Sequence, residues 1–251
     1  GSTPVIAVGR AAALRPLAGA RMDRLPAPVA GAEGFRVQAT ADAVIVAGND
    51  ERGVLFGVGW LLRNLRMERG QILEAPDGLR VATAPKYPLR GHQLGFRPKV
   101  NSYDGFTVEM WEQYIRDLAV FGTNAIELIP PRSDDADDSP HFPLPKMEMM
   151  VEMSRIANEY GLDLWIWYPA MDRDYSNPAT VELALREWEQ VYKRLPRIDY
   201  IFVPGGDPGH TQPVHMFNLL EKQTALLRKY HPKAQMWMSP QGFNAEWMEE
   251  F

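Results

Sequence analysis

The chain has 251 residues, a formal net charge of −5, no cysteine, and acidic and basic residues mixed without a basic stripe. That balance excludes disulfides and thiol chemistry and argues against a nucleic-acid partner. No apolar run approaches the ~20 residues that a membrane-spanning helix requires, so no membrane partner is expected.

Read from the amino terminus, Gly1-Ser2 looks like the scar of a cleaved tag, so a missing leader says nothing about export. A periplasmic or secreted location is expected, with the cytoplasm left open. Pro4 to Val8 reads as a strand, followed by a connection rich in Pro, Ala and Gly. Phe35 to Ala39 and Ala43 to Ala47 are two short strands around Thr40-Ala41-Asp42, a hairpin. Gly48-Asn49-Asp50 caps a helix in which Val54, Val58, Leu61 and Leu65 recur at helical spacing. Leu79 to Ala82 closes the block as another strand. Residues 1–84 are thus predicted to form a small α+β layer of one sheet and one helix.

Residues 85–251 have a different rhythm. Gly91 to Phe96, Ala125 to Ile129, Asp163 to Tyr168, Tyr200 to Val203 and Gln235 to Ser239 read as strands whose starts lie 34, 38, 37 and 35 residues apart. Helical patterns fill the gaps: Trp111, Tyr114, Ile115 and Leu118 after a Thr107 cap; Met147, Met150 and Val151 up to Gly161; Leu183 to Tyr192; and Met216 to Leu227. Repeated strand–helix units mean a parallel sheet covered by helices. The predicted class is α/β: a small α+β sheet domain followed by a partial parallel β/α barrel of the TIM type. A flavodoxin-like sheet fits the count, but no phosphate-cradling loop follows the first strand. Eight units take about 250 residues. The missing strands are therefore expected from the rest of the polypeptide, another chain or self-association.

Ligands in such sheets bind at the carboxyl ends of the strands. Ile201-Phe-Val-Pro-Gly-Gly-Asp-Pro-Gly-His210 is a strand that stops at a glycine-rich corner presenting Asp207 and His210. Asp207 is either a reactive carboxylate or a cap for the next helix. Glu127 lies within the second strand, where it can be an inward, pKa-shifted carboxylate or an anchor for Arg90 or His92. His92, Arg97 and His210 sit near expected strand ends and can donate to oxygen atoms of a ligand. Trp165 and Trp167 share a face and, with Trp237, form either a stacking platform or a packed layer. Asp134-Asp135-Ala136-Asp137-Asp138 lacks the alternation and turn glycine of a calcium loop and reads as a solvated loop. No His/Cys set has metal-ligand spacing, so neither metal nor cofactor is expected.

From Glu33-Gly-Phe through the hairpin to Gly53-x-x-x-Gly57 and Leu65, the chain resembles the small domain preceding the barrel in glycoside hydrolase family 20. Related domains occur in α-glucuronidases and O-GlcNAcase-like hydrolases. Pro88-Leu-Arg-Gly-His-Gln-Leu-Gly-Phe-Arg97 resembles the first barrel strand of the hexosaminidases, whose Arg contacts sugar hydroxyls, a role the resemblance gives to Arg90. In the hexosaminidases the fourth strand ends in Gly-Gly-Asp-Glu, the Asp orienting the substrate acetamide and the Glu acting as acid. Gly205-Gly206-Asp207-Pro208 keeps the Asp and places proline at the acid position, so the acetamido-assisted mechanism does not carry over intact.

The resemblance implies a glycoside hydrolase-like protein acting on a carbohydrate. Its catalytic carboxylates would be Asp207 and Glu127, with Arg90, His92, Arg97, Trp167, His210 and Trp237 holding the sugar. The alternatives are a carbohydrate-binding or scaffolding barrel without catalysis, and a barrel enzyme of other chemistry such as a lyase.

Overall fold

In the computed structural model, residues 5–40, 42–74, 78–95, 103–133 and 139–251 are described. Contacts divide the chain into one unit of Gly1–Arg90 with Arg116–Asn124 and another of Gly91–Ile115 with Ala125–Phe251.

The first unit is laid out as β1 (Val5–Arg10), α1 (Ala11–Ala18), β2 (Phe35–Thr40), β3 (Ala43–Gly48), α2 (Glu51–Asn64), the short pair β4 (Arg66–Glu68) and β5 (Gln71–Glu74), and β6 (Arg80–Thr83). The main sheet has the order β1-β3-β2-β6, with β1 parallel to β3 and the other pairs antiparallel. Alternation along β3 sends its residues to two cores. Ala43, Ile45 and Ala47 pack with Leu14, Ala18, Met22 and Leu25, whereas Val46 packs with Phe35, Val37, Phe56 and Leu61.

The sheet therefore carries a helix on each face, where the sequence predicts only one. The connection after β1 hides α1 because Pro16 lies inside the helix and Arg10, at the N-cap, makes no capping bond through its side chain. Helix α2 begins as expected, with Asp50 Oδ1 accepting from the Gly53 N–H at 2.7 Å. A β-carbon on Gly57 would lie 2.7 Å from Val46 Cγ1, so this glycine lets α2 settle against the sheet.

The second unit alternates strand and helix: β7 (Gly91–Leu94), α3 (Val108–Val120, shared with the first unit), β8 (Ala125–Leu128), α4 (Lys146–Glu159), β9 (Asp163–Trp167), α5 (Pro178–Arg194), β10 (Tyr200–Val203), α6 (Pro213–Tyr230), β11 (Gln235–Met238) and α7 (Ala245–Glu250). All five strands start where the sequence places them. They pair in parallel in sequential order, β7 and β11 at the edges. Ile126, Leu128, Leu164, Ile166, Ile201 and Val203 are buried on one face, as are Met149, Met153 and Ile156 of α4 and Met216 and Leu219 of α6. No helix among the described residues is long and apolar enough to cross a membrane.

Candidate functional site

Because side chains alternate along a strand, the residues between those buried positions share the opposite face. In register, Gln93 neighbours Glu127, Glu127 neighbours Trp165, Trp165 neighbours Tyr200, and one step on Trp167 neighbours Phe202 and Phe202 neighbours Trp237. This face is half-open: Glu127, Trp165, Trp167, Tyr200 and Phe202 are half-buried and Trp237 is exposed. Trp165 stacks on Tyr200 with ring centroids 4.2 Å apart and 19° between planes, and Trp237 leans on Trp165 at 5.8 Å. Gln93 Nε2 donates to Glu127 Oε2 at 2.8 Å. Burial pushes the Glu127 carboxyl above the usual range, and the Gln93 bond offsets part of that shift.

The corner after β10 is held from two sides. The Gly206 N–H donates to the Gln241 carbonyl at 3.1 Å, and the Gln241 amide donates to Asp207 Oδ2 at 2.9 Å. Gly205 has φ +53°, and a β-carbon there would lie 2.5 Å from the carbonyl oxygens of Ser239 and Gln241. On the other side Pro208 bridges Ala170, and a β-carbon on Gly209 would lie 2.2 Å from the Asp172 carbonyl oxygen. The glycines therefore serve close backbone contact between the loops after β9, β10 and β11. Asp207 emerges half-buried from this junction, preceding a cis peptide bond to Pro208.

Beside this corner lies an ion-pair cluster that the sequence reading did not single out. Arg132 forks onto Asp172, Nη2 to Oδ1 at 2.8 Å and Nη1 to Oδ2 at 3.3 Å, and Nη1 also reaches Glu187 Oε2 at 2.9 Å. Tyr175 donates to Asp172 Oδ2 at 3.2 Å. The Arg132 guanidinium holds the Asp172 carboxyl below the usual carboxylate range, chiefly through the hydrogen-bonded fork. Arg132 and Asp172 lie in loops without periodicity; only their position four and five residues past a strand end could have marked them.

The remaining sequence candidates divide. Arg90 is not brought to the strand ends: it immediately precedes β7, at the amino end of the strand. Its guanidinium is committed within the first unit to Glu33 Oε2 at 2.6 Å, the Gly122 carbonyl at 2.7 Å and the Tyr87 carbonyl at 2.9 Å. The anchor considered for it is therefore Glu33 and not Glu127. His92 alternates with Gln93 and so points to the helix-covered face, where its Nε2 lies 3.3 Å from the Tyr114 hydroxyl. His210 is exposed in the β10 corner with φ +56°, and Trp167 and Trp237 lie on the open face. Arg97 and the run Asp134 to Asp138 lie outside the described residues. Among the described residues no group of three or more His, Cys, Asp or Glu could hold a metal ion.

No family model matches this sequence. Comparison with solved structures places it near glycoside hydrolases. A Streptomyces coelicolor family 20 β-N-acetylhexosaminidase is similar at TM-score 0.60 and 14% identity, over 85% of this chain and 53% of that one. A Streptomyces plicatus N-acetyl-β-hexosaminidase is similar at TM-score 0.63 and 17% identity, over 95% and 63%. A family 138 enzyme targeting pectin rhamnogalacturonan II is similar at TM-score 0.56 and 15% identity, over 80% and 28%. The chain thus spans less than two thirds of the length of these proteins. At these identities the likeness is one of fold alone: over most of its length the chain is similar in fold to family 20 β-N-acetylhexosaminidases.

Proposed function

We propose that this chain carries the strand-end face of a glycoside hydrolase, with a pyranose ring held against Trp167, Phe202 and Trp237 and with Asp207 and Glu127 as its carboxylates. The observation that carries the reading is the pairing of an aromatic open face with two differently placed carboxylates toward the carboxyl end of one parallel sheet. Glycoside hydrolysis needs one carboxyl that keeps its proton and one that accepts or orients. Glu127, pushed up by burial, suits the proton-bearing role. Asp207, with an amide donating to Oδ2, suits the accepting one.

The outer edges of β7 and β11 have no strand partner among the described residues, and Trp237 is exposed beside one of them. Further β/α units, from the same polypeptide, another chain or self-association, would pair those edges and wall the site. The chain by itself is then a binder and not a competent hydrolase. Pro208 favours a second reading, a carbohydrate-binding barrel without turnover, because proline cannot supply a proton beside Asp207.

Initial rates on a panel of aryl glycosides and uronides, measured on the chain alone and together with polypeptide supplying further β/α units, separate these readings. Turnover only in the completed protein supports the hydrolase. Saturable tryptophan-fluorescence changes without turnover in either form support the binder.

A further inference from the structure

We infer that Arg132 and Asp172 are positioning residues for Asp207, acting through backbone contact between the loops after β9 and β10. This rests on the reading of the β10 corner as the reactive site. It assigns the pair a role that neither the glycine-rich motif nor the aromatic face requires.

The chain of contacts is short. Arg132 follows β8, Asp172 follows β9, and Glu187 lies on α5, so one guanidinium ties together three elements. Both oxygens of Asp172 are taken, Oδ1 by Arg132 and Oδ2 by Arg132 and Tyr175. Its N–H is taken as well, donating to the Tyr175 hydroxyl at 3.2 Å. What Asp172 leaves facing its neighbour is its carbonyl, and Gly209 rests on that carbonyl. One residue earlier Pro208 bridges Ala170, and one residue before that is Asp207. The guanidinium fork therefore fixes the backbone of residues 170–172, and that backbone is the seat of residues 207–209.

Arg132 is not a ligand-binding cation in this arrangement. Its two terminal nitrogens are committed to two carboxylates, which raise its already high pKa further. An arginine fork is planar and bidentate, so it sets orientation as well as distance, which a lysine ammonium does not. Catalytic geometry tolerates small errors only: a displacement of ~1 Å in a reacting group can cost ~10²-fold in rate.

The test compares Asp172→Asn, Arg132→Lys and Arg132→Ala with the wild-type chain by amide hydrogen exchange. Each variant is expected to raise exchange at Gly205, Gly206, Asp207, Gly209 and His210 by about tenfold or more, while β2, β3 and α2 keep their protection. Arg132→Lys should loosen the corner less than Arg132→Ala if charge supplies part of the hold. Unchanged exchange at the corner overturns the proposal, and so does a uniform rise across β8, β9 and β10, which means a merely structural role. In the completed protein the variants should lower kcat with KM nearly retained. A corner that loosens in a protein with no turnover in any form supports the positioning role and removes the hydrolase reading instead.

Discussion

Glu33 binds Arg90 at 2.6 Å across 57 residues of sequence, and the same carboxylate accepts from Arg52 at 3.2 Å and from the Asn124 amide at 3.1 Å. Glu33 and Asn124 are both buried. One acid thus satisfies two guanidinium groups and an amide. Removing it takes the carboxylate from two partly buried guanidinium groups, while Arg90 keeps the Gly122 and Tyr87 carbonyls and Asn124 keeps the Pro88 carbonyl; breaking such a buried pair costs up to about 3–5 kcal/mol. Glu33→Ala is expected to lower stability by that order in urea unfolding, and Glu33→Gln by less. A loss below about 1 kcal/mol for Glu33→Ala would show that water replaces the carboxylate without penalty.

Glu127 should cost the fold stability. Its carboxyl is raised by burial, so the folded state holds that proton more tightly than the unfolded one. Its contribution is complete below the ordinary carboxylate range and is lost as pH rises through the raised value. Asp172 runs the other way: lowered by Arg132, it stabilises above the ordinary range and loses that contribution as pH falls through the lowered value. Glu127→Gln keeps a partner for Gln93 and removes the ionisation. The variant is expected to be more stable than wild type at neutral pH, because it removes the charge that burial disfavours. The difference should vanish toward pH ~4. Denaturation midpoints across that range check it, and a constant difference would refute it.

Asp207→Asn, in the completed protein, is expected to lower kcat by ~10²-fold or more with the melting temperature nearly unchanged. Gln241→Ala frees Asp207 Oδ2 and should reproduce part of that loss, because the amide at 2.9 Å is what orients the carboxylate. If Asp207→Asn leaves the rate on an active substrate untouched, Asp207 is a structural corner residue and other carboxylates do the chemistry.

Trp237 is 52% exposed and leans on Trp165, so Trp237→Ala should cost about 1 kcal/mol, the order of one aromatic pair, without unfolding the chain. If the open face stacks on a sugar ring, the same change should weaken saccharide binding by about tenfold, the order of one aromatic contact. Isothermal titration with mono- and oligosaccharides measures it; equal affinity for wild type and variant would remove Trp237 from the site.

Much of the fold was legible because apolar runs in a parallel sheet are bounded sharply by turns. All five strand starts from Gly91 to Gln235 follow from that signal. Helix α1 escaped because Pro16 and an uncapped start erase the usual marks. At the candidate site, the placements of Asp207 after β10 and of the tryptophans on one face were legible, since strand-end position and alternation are local properties. The direction of His92 was not: its parity is fixed only by register, which pairs Gln93 and not His92 with Glu127. Arg90 was misplaced for a related reason, because its partner Glu33 lies in another element and no spacing rule joins them. The Arg132–Asp172 pair depends on two loops meeting, and loops carry no period from which to read a meeting.

The stack of Trp165 on Tyr200, with Trp237 leaning on the same indole, has an optical consequence. Rings held a few ångströms apart at fixed angles couple their excited states, so this trio should contribute to the near-ultraviolet circular dichroism of the chain beside the stack of Tyr168 on Trp188 at 3.9 Å. Tyr200 should also pass its excitation to Trp165. A molecule settling on the face would shift that spectrum at once, whether or not any bond is broken. The chain therefore contains its own colour-free reporter, able to rank candidate ligands before a substrate is known.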